Sequence, residues 1–343
     1  MNKKETKVSD LLRLGFGRRR IAKEMQISEW EARALIQQVL PRSETPAQAL
    51  TSITCESSLP ASRQDKLIHI SRINKTPIKI SPRSLTGINQ AGTVYPLGKR
   101  AVGLKVACVS DIHYPYQDER VEEIAFSFLK DYKPDIIVWN GDVWDFYAVS
   151  QYTKNIKKKM DIQEEIDYGA SRVKMWMKEL GKTKGFFVIG NHEARLGKLI
   201  SKNAPSLASL RSSSIENNID FEDMGIEFIP EHKDLFIGSM LFTHGNVVRS
   251  FAGASVKAQY DQFGCSTLIG HTHRISVAHK RTKLGTHTLV ENGTLCDFDV
   301  EYSPYPNWQH GFTTLEFDGD DFSVSQHLIN NYKLVAFGKV YTK

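Results

Sequence analysis

Five short segments of this 343-residue chain set metal-ligating residue types close together: Asp111-Ile112-His113, Gly141-Asp142, Gly190-Asn191-His192-Glu193, Thr243-His244-Gly245 and Gly270-His271-Thr272-His273. Imidazole nitrogens mixed with carboxylate oxygens suit borderline divalent metals such as Mn, Fe, Co, Ni or Zn. In the D-x-H and H-x-H segments the ligands stand two residues apart, so on a strand or its extended continuation both point the same way. A Gly-Asp pair or a single histidine after a strand is ordinarily a turn or a satisfied polar group. Five such segments, each closing an apolar run, ask for a metal centre instead.

The runs that must position them are strand-sized. LKVACVS leads into Asp111, IIVWN into Gly141-Asp142, FFVIG into Asn191, MLFT into His244 and STLIG into His271. Helix-like stretches lie between the first three, at roughly 118–131 and 161–180. Strand, crossover helix and strand is the alternation of an α/β layered domain, and in open α/β sheets ligands gather where strands end and loops begin. Later strands near Ile226, Phe236, Val277, Thr288 and Thr314 come closer together and are expected to be antiparallel. The expected fold class is therefore α/β: two mixed β-sheets packed as a sandwich flanked by helices over residues 101–343, with a small all-α domain at the N-terminus.

Taken in order, the five segments resemble the calcineurin-like metallophosphoesterase superfamily, whose pattern is D-x-H, G-D, G-N-H-D or G-N-H-E, H and G-H-x-H. The likeness covers about residues 103–300, and VENGTL after the last histidines resembles the family's closing strand and glycine turn. It implies a binuclear site in which Asp111, His113 and His273 bind one metal, Asn191, His244 and His271 bind the other, and Asp142 bridges them. Mn²⁺ is the leading expectation for both ions. Two such ions about 3.5 to 4 Å apart hold a phosphoryl group and lower the pKa of a water, whose hydroxide attacks phosphorus. His192 is the expected acid toward the leaving oxygen, an effect of about 100- to 10,000-fold. Glu193 either orients His192 or caps the following helix.

Composition excludes several other classes. At 41% hydrophobic and 24% charged residues, the chain is an ordinary globular protein. Its longest apolar stretches, such as Ile136–Trp139 and Phe186–Ile189, fall far short of the roughly 18 residues of a membrane span. MNKKETKVSDLLRLG carries lysines but no apolar core of a secretory signal, so a cytoplasmic protein without a membrane partner is expected. Cys55, Cys108, Cys265 and Cys296 are scattered, which argues against a disulfide framework or a cysteine-type zinc site.

Charge is unevenly placed. Residues 1–42 hold ten Lys or Arg against five Asp or Glu, while the whole chain is only +6, so a polyanion contact is expected at the N-terminus. Within 8–40, Ile21, Ala22 and Met25 share a helix face, the pattern breaks at Gln26 and Ile27, and Ser28 is placed to cap a second helix carrying Ala32, Leu35, Ile36 and Val39. This resembles a helix-turn-helix of the resolvase and sigma-factor kind, with Gln26 where a turn glycine is usual. Its recognition helix would open with Glu29 and Glu31, which repel phosphates, so a docking or dimerisation module, and with it a homo-oligomer, is the alternative. Residues 43–100 are rich in Ser, Thr, Pro and Gln and read as a linker, in which LIHISRINKTPIKI has the alternation of one β-hairpin.

The metal site does not choose a substrate, because the superfamily spans nucleases, nucleotide hydrolases, cyclic-nucleotide phosphodiesterases and protein phosphatases. Trp144, Phe146, Tyr147 and Tyr152, followed by Lys154, Lys157, Lys158 and Lys159, would stack bases and track a backbone, although Trp144 and Phe146 equally suit packing beneath the metal loop. Arg195 is placed to contact a phosphate. DNA is the leading partner and nuclease the leading activity. The alternatives are a nucleotide or small-molecule phosphodiesterase or phosphatase, a Ser/Thr-type protein phosphatase, and a non-enzymatic DNA-binding or scaffold protein.

Overall fold

The computed structural model describes residues 103–150, 160–231, 233–298 and 306–343, the backbone of Thr93–Tyr95, and parts of the first 36 residues. The chain divides into two compact units, Met1–Lys79 and Ile80–Lys343.

In the first unit, helix α1 (Arg18–Met25) brings Ile21 and Ala22 into a small core with Val8 and Ala32, flanked by Met25, Ile27, Leu35 and Ile36. Gln26 takes φ 55°, the left-handed turn conformation in which glycine is usual. Ser28 opens the next helical stretch: its hydroxyl accepts from the Glu31 amide at 3.2 Å, while the Glu31 carboxylate accepts from the Ser28 amide at 3.0 Å. This reciprocal pair is a capping box. Val39 and the hairpin-patterned segment lie outside the described residues.

The second unit is built on two six-stranded sheets. One runs in the order β12-β11-β2-β3-β4-β5, from β2 (Leu104–Val109), β3 (Ile136–Asn140), β4 (Lys184–Val188), β5 (Ile226–Ile229), β11 (Gly311–Asp318) and β12 (Asp321–Leu328). The other runs β1-β6-β7-β8-β10-β9, from β1 (Thr93–Tyr95), β6 (Leu235–Ile237), β7 (Met240–Thr243), β8 (Ser266–Ile269), β9 (Ile275–Thr282) and β10 (Gly285–Asn292). A separate hairpin, β13 (Lys333–Ala336) with β14 (Lys339–Thr342), ends the chain.

The period-two alternation of side chains explains the layering. Val106, Cys108, Ile136, Val138, Phe186 and Val188 face one way and meet Leu235, Ile237, Met240, Phe242, Leu268 and Val290 of the other sheet. Their neighbours Ala107, Val109, Ile137, Trp139 and Phe187 face the opposite way, onto helices α2 (Glu119–Tyr132) and α3 (Ile162–Leu180). Burial on both faces is why these strands read as unbroken apolar runs. Helix α5 (Ala254–Phe263) covers the far side of the second sheet through Val256 and Tyr260, against Ile269 and Leu289.

Helices α2 and α3 start within a residue of the stretches expected from the sequence, each behind a capping aspartate. The Asp118 carboxylate accepts from the amides of Arg120 and Val121 at 3.0 and 3.1 Å, and the Asp161 amide donates to Glu164 at 3.1 Å. A buried network then locks both helices to the metal loops: Glu122 accepts from Tyr114 at 2.6 Å, Arg172 at 2.8 Å and Trp176 at 3.1 Å. Tyr114 directly follows His113, so this carboxylate fixes the loop after β2.

Three expectations are revised. β5 pairs parallel with β4, and β10 pairs parallel with β8. The first is the return of a crossover through helix α4 (Ala194–Asn203), which parallel pairing requires; the second arises because the hairpin β9–β10 attaches by its second strand. Third, Thr93–Tyr95, inside the segment expected to be a linker, forms the sheet edge beside β6. Cys108, Cys265 and Cys296 are free thiols, and no described helix is long and apolar enough to cross a membrane.

Candidate metal centre

Seven strand-end residues converge on one buried spot. Asp111, His113 and His273 bring ligand atoms within 4.8 Å of one another, as do Asp142, His244 and His271. In the first group His273 Nε2 lies 3.2 Å from Asp111 Oδ1 and 3.1 Å from His113 Nε2. In the second, His244 Nε2 lies 3.1 Å from Asp142 Oδ2 and 3.2 Å from Asn191 Oδ1. The two histidines of H-x-H therefore divide between the groups.

The loop backbone differs from the extended continuation expected from the spacing. Asp111, His113, Asp142, His271 and His273 take φ of 54°, 58°, 50°, 66° and 56°. Left-handed backbone costs a non-glycine residue roughly 1–2 kcal/mol, and such strain persists only where the surroundings over-determine it. Here interlocking loops do so: the His271 amide donates to Asp111 Oδ1 at 2.9 Å, and the His192 amide to Asp142 Oδ1 at 2.9 Å. The glycines of the motifs permit that closeness. A methyl group at Gly190 would stand 2.3 Å from the Asp142 amide nitrogen, and one at Gly141 2.5 Å from His244 Nδ1.

The tautomers fit a cation. His113 Nδ1 lies 2.9 Å from Asp145 Oδ1 and His244 Nδ1 lies 2.9 Å from the Asn140 carbonyl. Both partners are acceptors, so each Nδ1 carries a hydrogen, and the proton to be given up on ligation is the one at Nε2, whose lone pair then points into the centre. A ligand histidine tethered at its other nitrogen is the usual second layer of a metal site.

Asp145, which the sequence reading passed over between two aromatic residues, organises this layer. Its carboxylate lies 2.9 Å from His113 Nδ1 and 3.1 Å from His192 Nδ1. Its carbonyl accepts from His192 Nδ1 at 2.8 Å and from Arg195 at 2.9 Å. Burial opposes the charge, but the hydrogen bonds from His113 and His192 hold its carboxyl well below the usual range. The signal was the spacing, an acid three residues beyond Asp142.

His192 stands at the rim, with Nε2 3.7 Å from Asp142 Oδ2 and 2.7 Å from Arg195 Nη2. Burial presses its pKa down, yet Asp142 and Asp145 raise it overall. It also shares a potential ligand group with His113 and Asp142.

Glu193 and Trp144 do not take the roles expected of them. Glu193 does not bond His192, and although it stands at the N-cap position of helix α4 its side chain bonds none of that helix's amides; its buried carboxylate gathers the amides of Val143 at 2.7 Å, Gly190 at 2.9 Å, and Asp142 and Trp144 at 3.0 Å each. It clamps two metal loops together instead of reaching a reacting atom. Trp144 is 0% exposed, donates from Nε1 to the Ile166 carbonyl at 3.2 Å, and fits because Gly169 leaves no methyl in its way. It is core and offers no face to a ligand. Phe146 is buried too, whereas Tyr147 is half-buried, 5.6 Å from the Tyr116 ring. Tyr152 and the lysines after it lie outside the described residues.

The clamp gives a first prediction. Glu193→Gln turns an amide group toward four N–H donors, so we expect a stability loss on the order of 2 kcal/mol and metal affinity weakened about 10- to 100-fold. Denaturant melts and metal titration read the two effects; unchanged values in both would show that the clamp holds nothing.

A second prediction concerns protons. Burial disfavours charge on His244, but Asp142 lifts its pKa to about 9, whereas burial and His244 push His271 down to about 4. At neutral pH the cation-free His244 is therefore protonated, and it must lose that proton to ligate. A raised pKa means the proton leaves as pH rises through about 9, so cation affinity increases with pH up to that point. Mn²⁺ calorimetry at pH 7.5 in two buffers of different ionisation enthalpy should register proton release; identical heats would contradict it.

The sequence matches the model of the calcineurin-like phosphoesterase family over residues 104–275. The chain belongs to that family. Family members hydrolyse phosphoric esters, and the clustered ligand residues match the divalent-metal chemistry the family uses. The Gene 54 proteins of Mycobacterium phages D29 and L5 are each 27% identical to it, over 63% of this chain and 90% and 89% of theirs. Vacuolar protein sorting 29 from Cryptosporidium parvum aligns with 70% of this phosphoesterase and 95% of its own chain, at 17% identity and a TM-score of 0.39, a likeness that says nothing about substrate.

Proposed function

We propose that this phosphoesterase hydrolyses phosphodiester bonds at a binuclear divalent-metal centre, and that its substrate is DNA. The observation that carries the reading is the convergence of His113, His244 and His273 Nε2 on Asp111 and Asp142, with His113 and His244 tethered at Nδ1. Asp111, His113 and His273 would hold one ion, Asn191, His244 and His271 the other, with Asp142 between them. Bound there, two divalent cations supply Lewis acidity toward the phosphoryl oxygens and a water acidic enough to ionise near neutral pH. Manganese suits this mixed imidazole and carboxylate set.

The chain's own residues do the rest. Asp145 fixes the orientation of His113 and His192. Arg195 donates to His192 Nε2; a phosphoryl group would compete for its guanidinium, leaving that nitrogen free to take up a proton, which Asp142 and Asp145 favour, and to pass it to the leaving oxygen. Support for DNA comes from the basic N-terminal unit. Its helix after the turn begins at Ser28, where the Glu31 carboxylate forms the cap and stays charged, so contact with phosphates falls to the Lys and Arg residues of this unit.

Purified protein with Mn²⁺ should cleave bis-p-nitrophenyl phosphate and labelled DNA, and the diester faster than the monoester. Diester turnover without any DNA cleavage would reject DNA as substrate. Deleting residues 1–42 should weaken DNA binding while sparing turnover of the small diester; unchanged DNA binding would reject the tethered-module reading.

A further inference from the structure

On one side of the metal centre aromatic rings continue outward. The Trp308 ring lies 4.2 Å from that of His273, centroid to centroid. Phe298 meets Trp308 edge-on at 6.0 Å and stacks on His310 at 3.8 Å. These three rings, with Asn330, Asn331 and Tyr332 opposite, line a cavity of about 260 Å³. Its far wall is fixed: Asn330 and Lys333 exchange backbone hydrogen bonds of 3.0 Å around a tight turn, and the Arg120 guanidinium sits 3.5 Å over the Tyr332 ring.

The chemistry of the lining selects a ligand. Among the described residues no Lys, Arg, Asp or Glu lines the cavity, so it offers nothing to a phosphate and suits the uncharged part of an ester. Aromatic faces favour a planar ring, and two exposed asparagine amides each supply donors and an acceptor for a heteroatom edge. The volume falls just below the about 300–1,000 Å³ of pockets that take whole drug-sized ligands, the scale of one ring system. Trp308 belongs both to the cavity and to the surroundings of a proposed metal ligand, so a phosphoryl group at the metals and a ring in the cavity can belong to one molecule.

We propose that this cavity seats the nucleobase attached beside the scissile phosphate, stacked on the Trp308 ring, with the near-perpendicular Phe298 ring at its side and its polar edge toward Asn330 and Asn331. The proposal rests on the phosphodiester reading of the metal centre. A base seated here has left its stack, so single-stranded DNA is the preferred form of the substrate.

Thymidine 5′-(p-nitrophenyl phosphate) and methyl p-nitrophenyl phosphate share the leaving group and the bond broken, so their ratio of kcat/KM reads the nucleoside alone. We expect the ratio to be about tenfold or more, the scale of one base stacked on an aromatic side chain. Trp308→Ala and Asn331→Ala should lower it, and Trp308→Phe should keep most of it. A separate arm measures thymidine 5′-monophosphate binding by calorimetry, where Trp308→Ala should raise Kd about tenfold. A wild-type ratio within twofold of one, or a ratio and Kd indifferent to both alanine variants, overturns the proposal. If the wild type hydrolyses neither diester, the phosphodiester reading fails by itself, and the binding arm alone decides whether the cavity takes a base.

Discussion

Asp142→Ala should abolish divalent-metal binding and diester hydrolysis together. Asp142 is buried at 1% exposure and belongs to two of the three ligand groups at the centre, one with His244 and His271 and one with His113 and His192. Its Oδ2 lies 3.1 Å from His244 Nε2. Burial alone would neutralise it, but His192 and His244 hold its carboxyl well below the usual range, so it stands ionised before any cation arrives. Without it the centre loses the charge that unites the two groups. We expect kcat/KM on bis-p-nitrophenyl phosphate to fall at least a thousandfold, about 4 kcal/mol of barrier, and metal content to fall with it. Elemental analysis alongside the kinetics makes the check, with a thermal melt to confirm folding. Activity lost with two metals retained would mean that Asp142 is not a shared ligand.

His192→Ala should behave oppositely, keeping both metals while turnover drops about 100- to 10,000-fold. His192 Nδ1 is committed to Asp145 and its Nε2 to Arg195, 3.7 Å from the nearer Asp142 oxygen, the posture of a rim residue and not of an inner ligand. Proton donation also sets a pattern across substrates. A p-nitrophenolate leaves readily without a proton, whereas the alkoxide of DNA does not, so the loss should be larger on DNA. Equal losses on both substrates would remove the acid role. Loss of metal would make His192 a ligand, a part open to it through its group with His113 and Asp142.

Much of this centre was legible because its constraints are local. A ligand at a strand end follows an apolar run, and the helix-like stretches at 118–131 and 161–180 begin within a residue of the helices themselves. Pairing direction was not legible, since the apolar patterns of β5 and β10 are the same whichever way their neighbours run. Trp144 was ambiguous for a related reason: its fate depends on Gly169, 25 positions away in the sequence and against the indole in space. The left-handed backbone of five ligand residues left no trace, because none is a glycine. Asp145 and Glu193 show the remaining limit. Glu193 is an acid within a motif and Asp145 one just beyond another, and only the fold reveals that Asp145 orients histidines while Glu193 gathers four amides.

The binuclear centre itself is tested most directly by crystals grown with Mn²⁺ and measured for anomalous scattering. Two peaks should appear, one among Asp111, His113 and His273 and one among Asn191, His244 and His271, with an Asp142 oxygen bound to each. A single peak, or a second ion that Asp142 does not touch, would contradict the two-metal centre.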